Sequence, residues 1–162
     1  MPLLAPFARC RLLLLALLCG PVLMAHSVAA ATAEPVTSNP EIQRRGDDLR
    51  KEIDGIYRDL KAKHAVEREI DVTPVLLKYI PIGMSFDVAE ATLRAAGCSV
   101  GRHPTGLPQG SVSSDDRVDA RRTLGRGFTF MPPSFFVSLL PRKRGDYTIV
   151  GNVRAAIIKA YI

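Results

Sequence analysis

Residues 83–100 read GMSFDVAEATLRAAGCSV, and this stretch contains the most regular local pattern of the chain. Ser85 is a residue type that favours a helix N-cap, and Asp87 and Glu90 place negative charge early in the helix. Gly97 stands where a left-handed residue commonly ends a helix. The pattern predicts a helix over 86–96 that leads into a strand. Its buried stripe consists of Phe86, Ala89 and Leu93.

Another helix is predicted upstream, where Asn39 suits the N-cap and Pro40 the first helical position. Apolar residues share one stripe of this helix: Ile42, Leu49, Ile53, Ile56 and Leu60. The opposite face carries acidic residues one turn before basic ones: Asp47 with Lys51, Asp54 with Arg58, and Asp59 with Lys63. These pairs indicate a solvated face and not a site. Because the stripe also fits a short heptad pattern, helix-mediated dimerisation is an open alternative.

The remaining chain has the character of a sheet with connecting turns. Residues 72–82 are mostly apolar but contain two prolines, which favours a short helical turn or an edge strand. Residues 101–127 predict a long polar loop with one strand near 117–124. Alternation at Phe135, Val137 and Leu139 predicts a strand ended by Pro141. A turn over 141–146 and a last strand over 153–162 follow, although the last segment also shows helical periodicity.

The predicted fold class is therefore α+β, with two helices followed by an antiparallel sheet of about three strands. The predicted domain is a single one that covers residues 40–162.

The N-terminal segment has the order of residues that is typical of a secretory signal. Arg9 and Arg11 precede the apolar run Leu12–Leu18, and small residues follow. We expect a signal peptide over 1–30, cleaved after Ala30 or, alternatively, after Ala33, and a periplasmic or secreted protein. An uncleaved membrane anchor is the alternative interpretation of the segment.

Cleavage would leave a flexible leader over 31–39 and about 130 residues in all, enough for one core. The chain has 22 basic and 16 acidic residues, and without Arg9 and Arg11 the basic count is 20, an excess of four. In an exported protein, this excess favours an anionic envelope surface or an envelope protein as partner. Nucleic acid is not expected as a partner, because it lies in another compartment.

The mature sequence offers few side chains for catalysis or metal binding. Cys98 is its single cysteine, and burial is the expected state. His64 and His103 lack metal-ligand spacing and are expected at the surface. A Cys98 nucleophile with His103 as base is disfavoured, because the end of a helix opposes a thiolate. The acidic residues Asp115, Asp116 and Asp119 lack the spacing of a calcium loop. We predict no catalytic residue, no metal, no cofactor and no enzymatic activity.

Two basic clusters are the candidate binding residues. They are Arg121, Arg122 and Arg126 beside the predicted first hairpin, and Arg142, Lys143 and Arg144 in the last turn. If both clusters face the same side, they form a patch for anionic headgroups or an acidic protein. The alternative is that the charges keep the turns soluble and block edge pairing.

Gly83, Met84, Ser85, Ala89 and Leu93 resemble the G-M-[ST]-x3-V-x3-L opening of small outer-membrane-assembly lipoproteins of the SmpA/OmlA (BamE) type. The resemblance implies a turn that caps a packing helix, an order of two helices and then a sheet, and a non-enzymatic accessory role at the outer membrane. The chain departs from the pattern at Ile82, which separates Pro81 from Gly83, at Arg94, and at Leu18 before Cys19.

Read on to Gly97 and Val100, the same stretch is also similar to the helix of a PASTA wall-binding repeat. That resemblance implies a module that binds wall polymers, but the strands that should follow and a second copy are missing. Neither resemblance transfers a binding residue.

The sequence thus predicts an exported, non-catalytic interaction or accessory protein of the cell envelope. The alternatives are a peptidoglycan or wall-polymer binding module, and a secreted inhibitor or immunity-type protein with one partner in the same compartment.

Overall fold

The computed structural model of the protein describes residues 39–63, 67–125 and 132–159. Its helices are α1 (Pro40–Ala62), α2 (Thr73–Tyr79) and α3 (Phe86–Ala95), with a 3-10 turn at Ser114–Asp116. Its strands are β1 (Glu69–Asp71), β2 (Ser99–Val100), β3 (Val118–Thr123), β4 (Ser134–Lys143) and β5 (Asp146–Ile158). The α+β class is confirmed. The predicted numbers of helices and strands, two and about three, are lower than the three α-helices and five strands of the described residues.

The five strands form one antiparallel sheet in the order β1-β5-β4-β3-β2. Alternate residues of the three long strands face the helices and are buried: Val118, Ala120, Phe135, Val137, Leu139, Val153, Ala155 and Ile157. Leu49 and Ile53 of α1 and Phe86 and Leu93 of α3 complete the same core. The architecture is a helical layer on one face of a sheet. No helix or strand among the described residues covers the other face.

Both predicted helices are confirmed, and so are the N-terminus of α1 and the C-terminal glycine of α3. The Asn39 side chain accepts a hydrogen bond from the Glu41 backbone N–H at 2.9 Å. Gly97 has a φ of +83° and ends α3 as predicted. Ser85 occupies the N-cap position of α3, but its side chain makes no capping hydrogen bond, and its backbone forms a bridge to Ile149 of β5.

The α1 stripe packs within the chain, and Gly46 brings α1 close to α3. A Cβ at Gly46 would stand 2.4 Å from Ala95 Cβ and 2.7 Å from the Thr92 carbonyl oxygen. The apolar stripe of α1, which fits a heptad pattern, therefore packs into the core of its own domain. The acid–base pairs on the other face also differ from the prediction: Asp47 pairs with Arg50, Asp48 with Lys51, and Asp54 with Arg122.

The segment at 72–82 contains the helix α2, and Pro74 lies in its first turn. Backbone N–H groups in the first turn have no partner within the helix, so the missing N–H of proline costs no hydrogen bond. Asp71 accepts a hydrogen bond from the Thr73 backbone N–H at 2.8 Å, which starts this helix directly after β1. Within the predicted loop at 101–127, the expected strand near 117–124 is confirmed as β3.

The last two strands are longer than the sequence predicts. Pro141 lies inside β4, where the register with β5 shifts on both sides of it, so the ladder tolerates the missing N–H. Gly151 faces this irregularity, and a Cβ there would stand 2.5 Å from Arg142 Cα. The turn lies at Arg144 and Gly145, and β5 begins at Asp146, so the helical alternative for the last segment is wrong over 153–158.

In the part of the chain that the structure describes, no helix is long and apolar enough to cross a membrane. The predicted signal peptide over 1–30, and the leader up to residue 38, lie outside the described residues.

Candidate functional site

The first basic cluster is divided between the two faces of the sheet. Arg122 points to the helical layer and donates to both carboxylate oxygens of Asp54 in α1, at 2.7 and 3.3 Å. Arg121 lies on the open face, donates to Ser134 Oγ, and stacks its guanidinium 4.9 Å from the centre of the Phe136 ring. Arg126 lies outside the described residues.

The second cluster contains one residue that is held by the fold and two that are exposed. Arg144 donates from Nε to Asp116 Oδ1 at 3.2 Å and from Nη2 to Ser113 Oγ at 3.1 Å. Arg142 and Lys143 are exposed. Arg121 is paired with Phe136, and the six residues from there to Arg142 span about 20 Å of strand. The structure therefore does not bring the two clusters together.

The open face of the sheet carries a polar row across three strands. Asp119, Ser138 and Arg154 are direct cross-strand neighbours on β3, β4 and β5. Asp119 accepts hydrogen bonds from Ser138 Oγ at 2.6 Å and from Arg117 Nε at 3.1 Å. Arg154 is exposed, and its side chain makes no hydrogen bond or ion pair with the described residues. The Arg154 guanidinium is thus without a partner, whereas the carboxylate of Asp119 in the same row already accepts two hydrogen bonds.

This row lies in a shallow cleft of about 650 Å³ on the open face. Phe136, Ala156 and Ile158 provide apolar surface in the cleft. Glu69 and Asp71 of β1 line its other side, where Asp71 has a lowered pKa because the Thr73 side chain and backbone donate hydrogen bonds to it. The cleft thus combines an apolar surface, a free arginine and an acidic edge.

A second pocket, of about 550 Å³, lies between the loop at 103–110 and the β4–β5 turn. His103 is one of its walls. The His103 Nε2 pairs with Oε1 of Glu90, whose other oxygen accepts from Arg94 at 2.7 Å. The imidazole stacks on the Tyr147 ring, with centroids 4.5 Å apart, and lies edge-on to Phe86. His103 is therefore an ordered part of the fold.

This cluster is not among the sequence-based predictions, in which Glu90 is only an acidic residue early in the helix. Glu90 lies one turn after Phe86 and is only 6% exposed, so it belongs to the buried side of α3. An acid beside an apolar helical stripe is the signal that could have indicated a buried partner.

The Tyr147 hydroxyl is buried and has no hydrogen-bond partner among the described residues. Its pKa is raised, chiefly because burial disfavours the phenolate and because Asp116 is nearby, while Arg144 acts in the opposite direction. An unsatisfied buried hydroxyl costs about 1–3 kcal/mol.

No family model, curated protein or solved structure matches this chain. The two resemblances at residues 83–100 therefore remain predictions, and functional inference rests on the geometry of the two concave surfaces.

Cys98 is buried, and burial raises its pKa to about 11. At neutral pH the group is a thiol, because the buried thiolate is strongly disfavoured. His103 pairs with Glu90 and stacks on Tyr147, and no hydrogen bond joins it to Cys98. This arrangement gives the Cys98–His103 hypothesis no support. The described residues contain no group of three or more His, Cys, Asp or Glu that could hold a metal ion.

Proposed function

We propose that the protein is an exported, non-catalytic module of the cell envelope that binds a partner protein on the open face of its sheet. The observation that carries this proposal is the cleft around Phe136, which places apolar surface inside a charged rim. Protein interfaces share this organisation, with apolar and aromatic residues at the centre and polar residues around them.

The charges of the cleft indicate the chemistry of the partner. Arg154 has no carboxylate partner among the described residues, so it is available to an acidic side chain of another protein. Beside the cleft, Arg121 stacks on Phe136 and donates its hydrogen bonds to the neutral Ser134 and not to a carboxylate. The preferred occupant is therefore a polypeptide that presents an apolar side chain next to a carboxylate.

The face of the sheet is a better binding surface than the side of β5 that extends beyond its pairing with β1. The Val150 backbone bonds to Gly83 and Met84, and the Ala155 backbone bonds to Val72 and Thr73. Between them, the Val153 N–H donates to the side chain of Asn152. Because these outward-facing groups are already paired, addition of a partner strand along this part of β5 is disfavoured.

Export is supported by the basic and apolar residues 9–18 and the small residues that follow. N-terminal sequencing of the protein from envelope and medium fractions tests it. We expect a mature terminus at Ala31 or Glu34, and full-length protein confined to the cytosol would contradict export.

Photo-crosslinking tests the binding surface. A photoreactive phenylalanine analogue replaces Ser138 in the cleft or, as a control, the exposed Arg44 on α1. We expect one envelope protein to be crosslinked from position 138 and not from position 44. Equal crosslinking from both positions would contradict a binding site on the open face.

The purified partner then allows a direct measurement of affinity. Arg154→Glu should weaken the complex by roughly tenfold or more, because it places a like charge against the partner's carboxylate. Arg44→Glu makes the same charge change outside the cleft and should leave the affinity within about twofold. Equal affinities for both variants would overturn the proposal. Retention of both variants on purified peptidoglycan, without a crosslinked protein, would favour a wall-polymer binder.

A further inference from the structure

The open face of the sheet carries a positive and a negative charge at opposite ends of one cross-strand row. Arg121, Phe136, Ala156 and Asp71 are direct neighbours on β3, β4, β5 and β1. Arg121 and Asp71 stand about 14 Å apart across the row, because three strand spacings separate them. The sheet therefore prevents these two charges from pairing within one chain.

The charges at the two ends lack partners of opposite sign in the part of the chain that the structure describes. Arg121 donates its hydrogen bonds to Ser134, and Asp71 accepts one from the Thr73 backbone. Glu69, the other residue of β1 that lines the cleft, forms no ion pair with the described residues. The β1 side of the face is thus anionic, and the β3 side is cationic at Arg121.

The middle of the row combines a large side chain with a small one. Phe136 carries an aromatic ring, Ala156 beside it carries only a methyl group, and both residues are half-buried. Two sheets that pack face to face, about 10 Å apart, bring the side chains of both faces into contact. A large side chain then packs best opposite a small one.

A second copy of this chain meets both the charge and the size requirement, when a twofold axis runs parallel to the strands between β4 and β5. This rotation exchanges the two ends of the row, so Arg121 of each copy faces Asp71 of the other. Phe136 of each copy lies over Ala156 of the other. Because every contact occurs twice, the interface is isologous and closes as a dimer.

Arg154 also gains a partner in this arrangement. It lies on β5, two residues before Ala156, and its guanidinium has no partner among the described residues. The rotation places it over Ser138 of the second copy, next to Asp119, which is the cross-strand neighbour of that serine. The unpaired cation of each copy therefore meets a carboxylate of the other.

We infer that the protein forms a twofold homodimer through its open sheet face, with a second copy of this chain as the occupant of the cleft. The inference rests on the proposed function, because it names the partner at that same surface. The open face itself presents the chemistry expected of this partner, since Ala156 and Ile158 lie directly beside the carboxylates of Asp71 and Glu69.

Sedimentation equilibrium of the purified protein, from micromolar to submillimolar concentration, measures the self-association. We expect a monomer–dimer equilibrium without larger species, because a twofold interface closes. Arg121→Glu and Asp71→Lys each place like charges opposite each other twice, and each should weaken dimerisation by about tenfold or more. Arg44→Glu changes the charge of an exposed residue of α1 and should leave the dimerisation constant within about twofold.

An equimolar mixture of Arg121→Glu and Asp71→Lys tests the geometry of the dimer. In a mixed dimer, both pairs at the ends of the row again have opposite charges, so we expect association within about threefold of the wild type. Amide NMR spectra report whether each variant is folded. If Asp71→Lys is not, Glu69→Lys replaces it, since the Glu69 side chain makes no hydrogen bond with the described residues. A wild type that stays monomeric, or a mixture of folded variants that associates no better than either alone, overturns the inference.

The photoreactive group at position 138 separates this inference from the proposed function. A crosslinked product of twice the chain mass supports the homodimer. A product that contains a different envelope protein, together with a monomeric wild type in sedimentation, overturns the homodimer but supports a binding surface on the open face. Equal crosslinking from positions 138 and 44, together with a monomeric wild type, contradicts both.

Discussion

Arg144 donates from its Nε to Oδ1 of Asp116 across 3.2 Å, and this contact joins the β4–β5 turn to the 3-10 turn before β3. Asp116 is fully buried and also accepts from the Ser113 backbone N–H at 2.6 Å. One buried carboxylate therefore fixes the end of the loop at 101–113 against the hairpin that forms the other wall of the pocket.

Asp116→Ala should destabilise the protein strongly. The change leaves the largely buried Arg144 without its carboxylate and removes the cap on Ser113, so the free energy of unfolding should fall by about 3 kcal/mol. Chemical denaturation measures the change. Asp115→Ala, at an exposed neighbouring position, should alter stability by less than about 0.5 kcal/mol. Similar stabilities for the two variants would contradict a structural role of the buried pair.

Gly46→Ala and Gly55→Ala form a matched pair within α1. A Cβ at Gly46 overlaps with Ala95 and the α3 backbone, and forcing the helices apart should cost about 1–3 kcal/mol. A Cβ at Gly55 meets nothing within 4 Å, so alanine there should stabilise the helix by about 0.5–1 kcal/mol. Thermal and chemical unfolding of both variants measure the difference. A stabilising effect at both positions would show that the two helices are not in close contact.

Local signals were sufficient for the long helices and the central strands. Asn39 and Gly97 mark helix ends through interactions within a few residues, so they can be read from the sequence. The edge strands β1 and β2 have three and two residues, too short for a periodic pattern, and exist because distant segments pair with them. Pro141 has the residue type of a strand terminator, but the irregular register around it accommodates it.

The candidate site was less predictable, because its contacts join distant parts of the chain. The period of a strand places consecutive residues such as Arg121 and Arg122 on opposite faces, which the sequence could have indicated once β3 was predicted. The partner of Arg122 in α1 is 68 residues away, and that of Arg144 is 28 residues away. No local pattern distinguishes such an arginine from a solvated one.

Cys98 should make the stability of the protein fall at alkaline pH. Its pKa is about 9.0 in the unfolded chain and about 11 in the fold, so between these values the unfolded chain releases a proton that the native protein retains. The stabilisation is complete below pH 9 and is lost as the pH rises towards 11, by about 2–3 kcal/mol.

The variant Cys98→Ala is the control, because it lacks only the thiol and keeps every other group that titrates at alkaline pH. The measurement is the free energy of unfolding by denaturant at pH 8 and pH 10.5. The wild type should lose more stability than the variant over this interval. Parallel losses would show that the buried thiol does not contribute to the pH dependence.

Tyr147→Phe and Tyr79→Phe should have different effects on stability, although both remove one phenolic hydroxyl. The Tyr79 hydroxyl donates to Glu52 Oε2 at 2.7 Å, and this bond raises the pKa of Tyr79 to about 12. Its loss should cost about 1 kcal/mol, because α2 is no longer tied to α1 by that bond. The Tyr147 hydroxyl has no partner among the described residues, so its removal should leave stability unchanged or raise it by about 1 kcal/mol. Denaturant titrations of both variants, without any ligand, measure the contrast, and a clear loss in Tyr147→Phe would mean that the free protein already satisfies this hydroxyl.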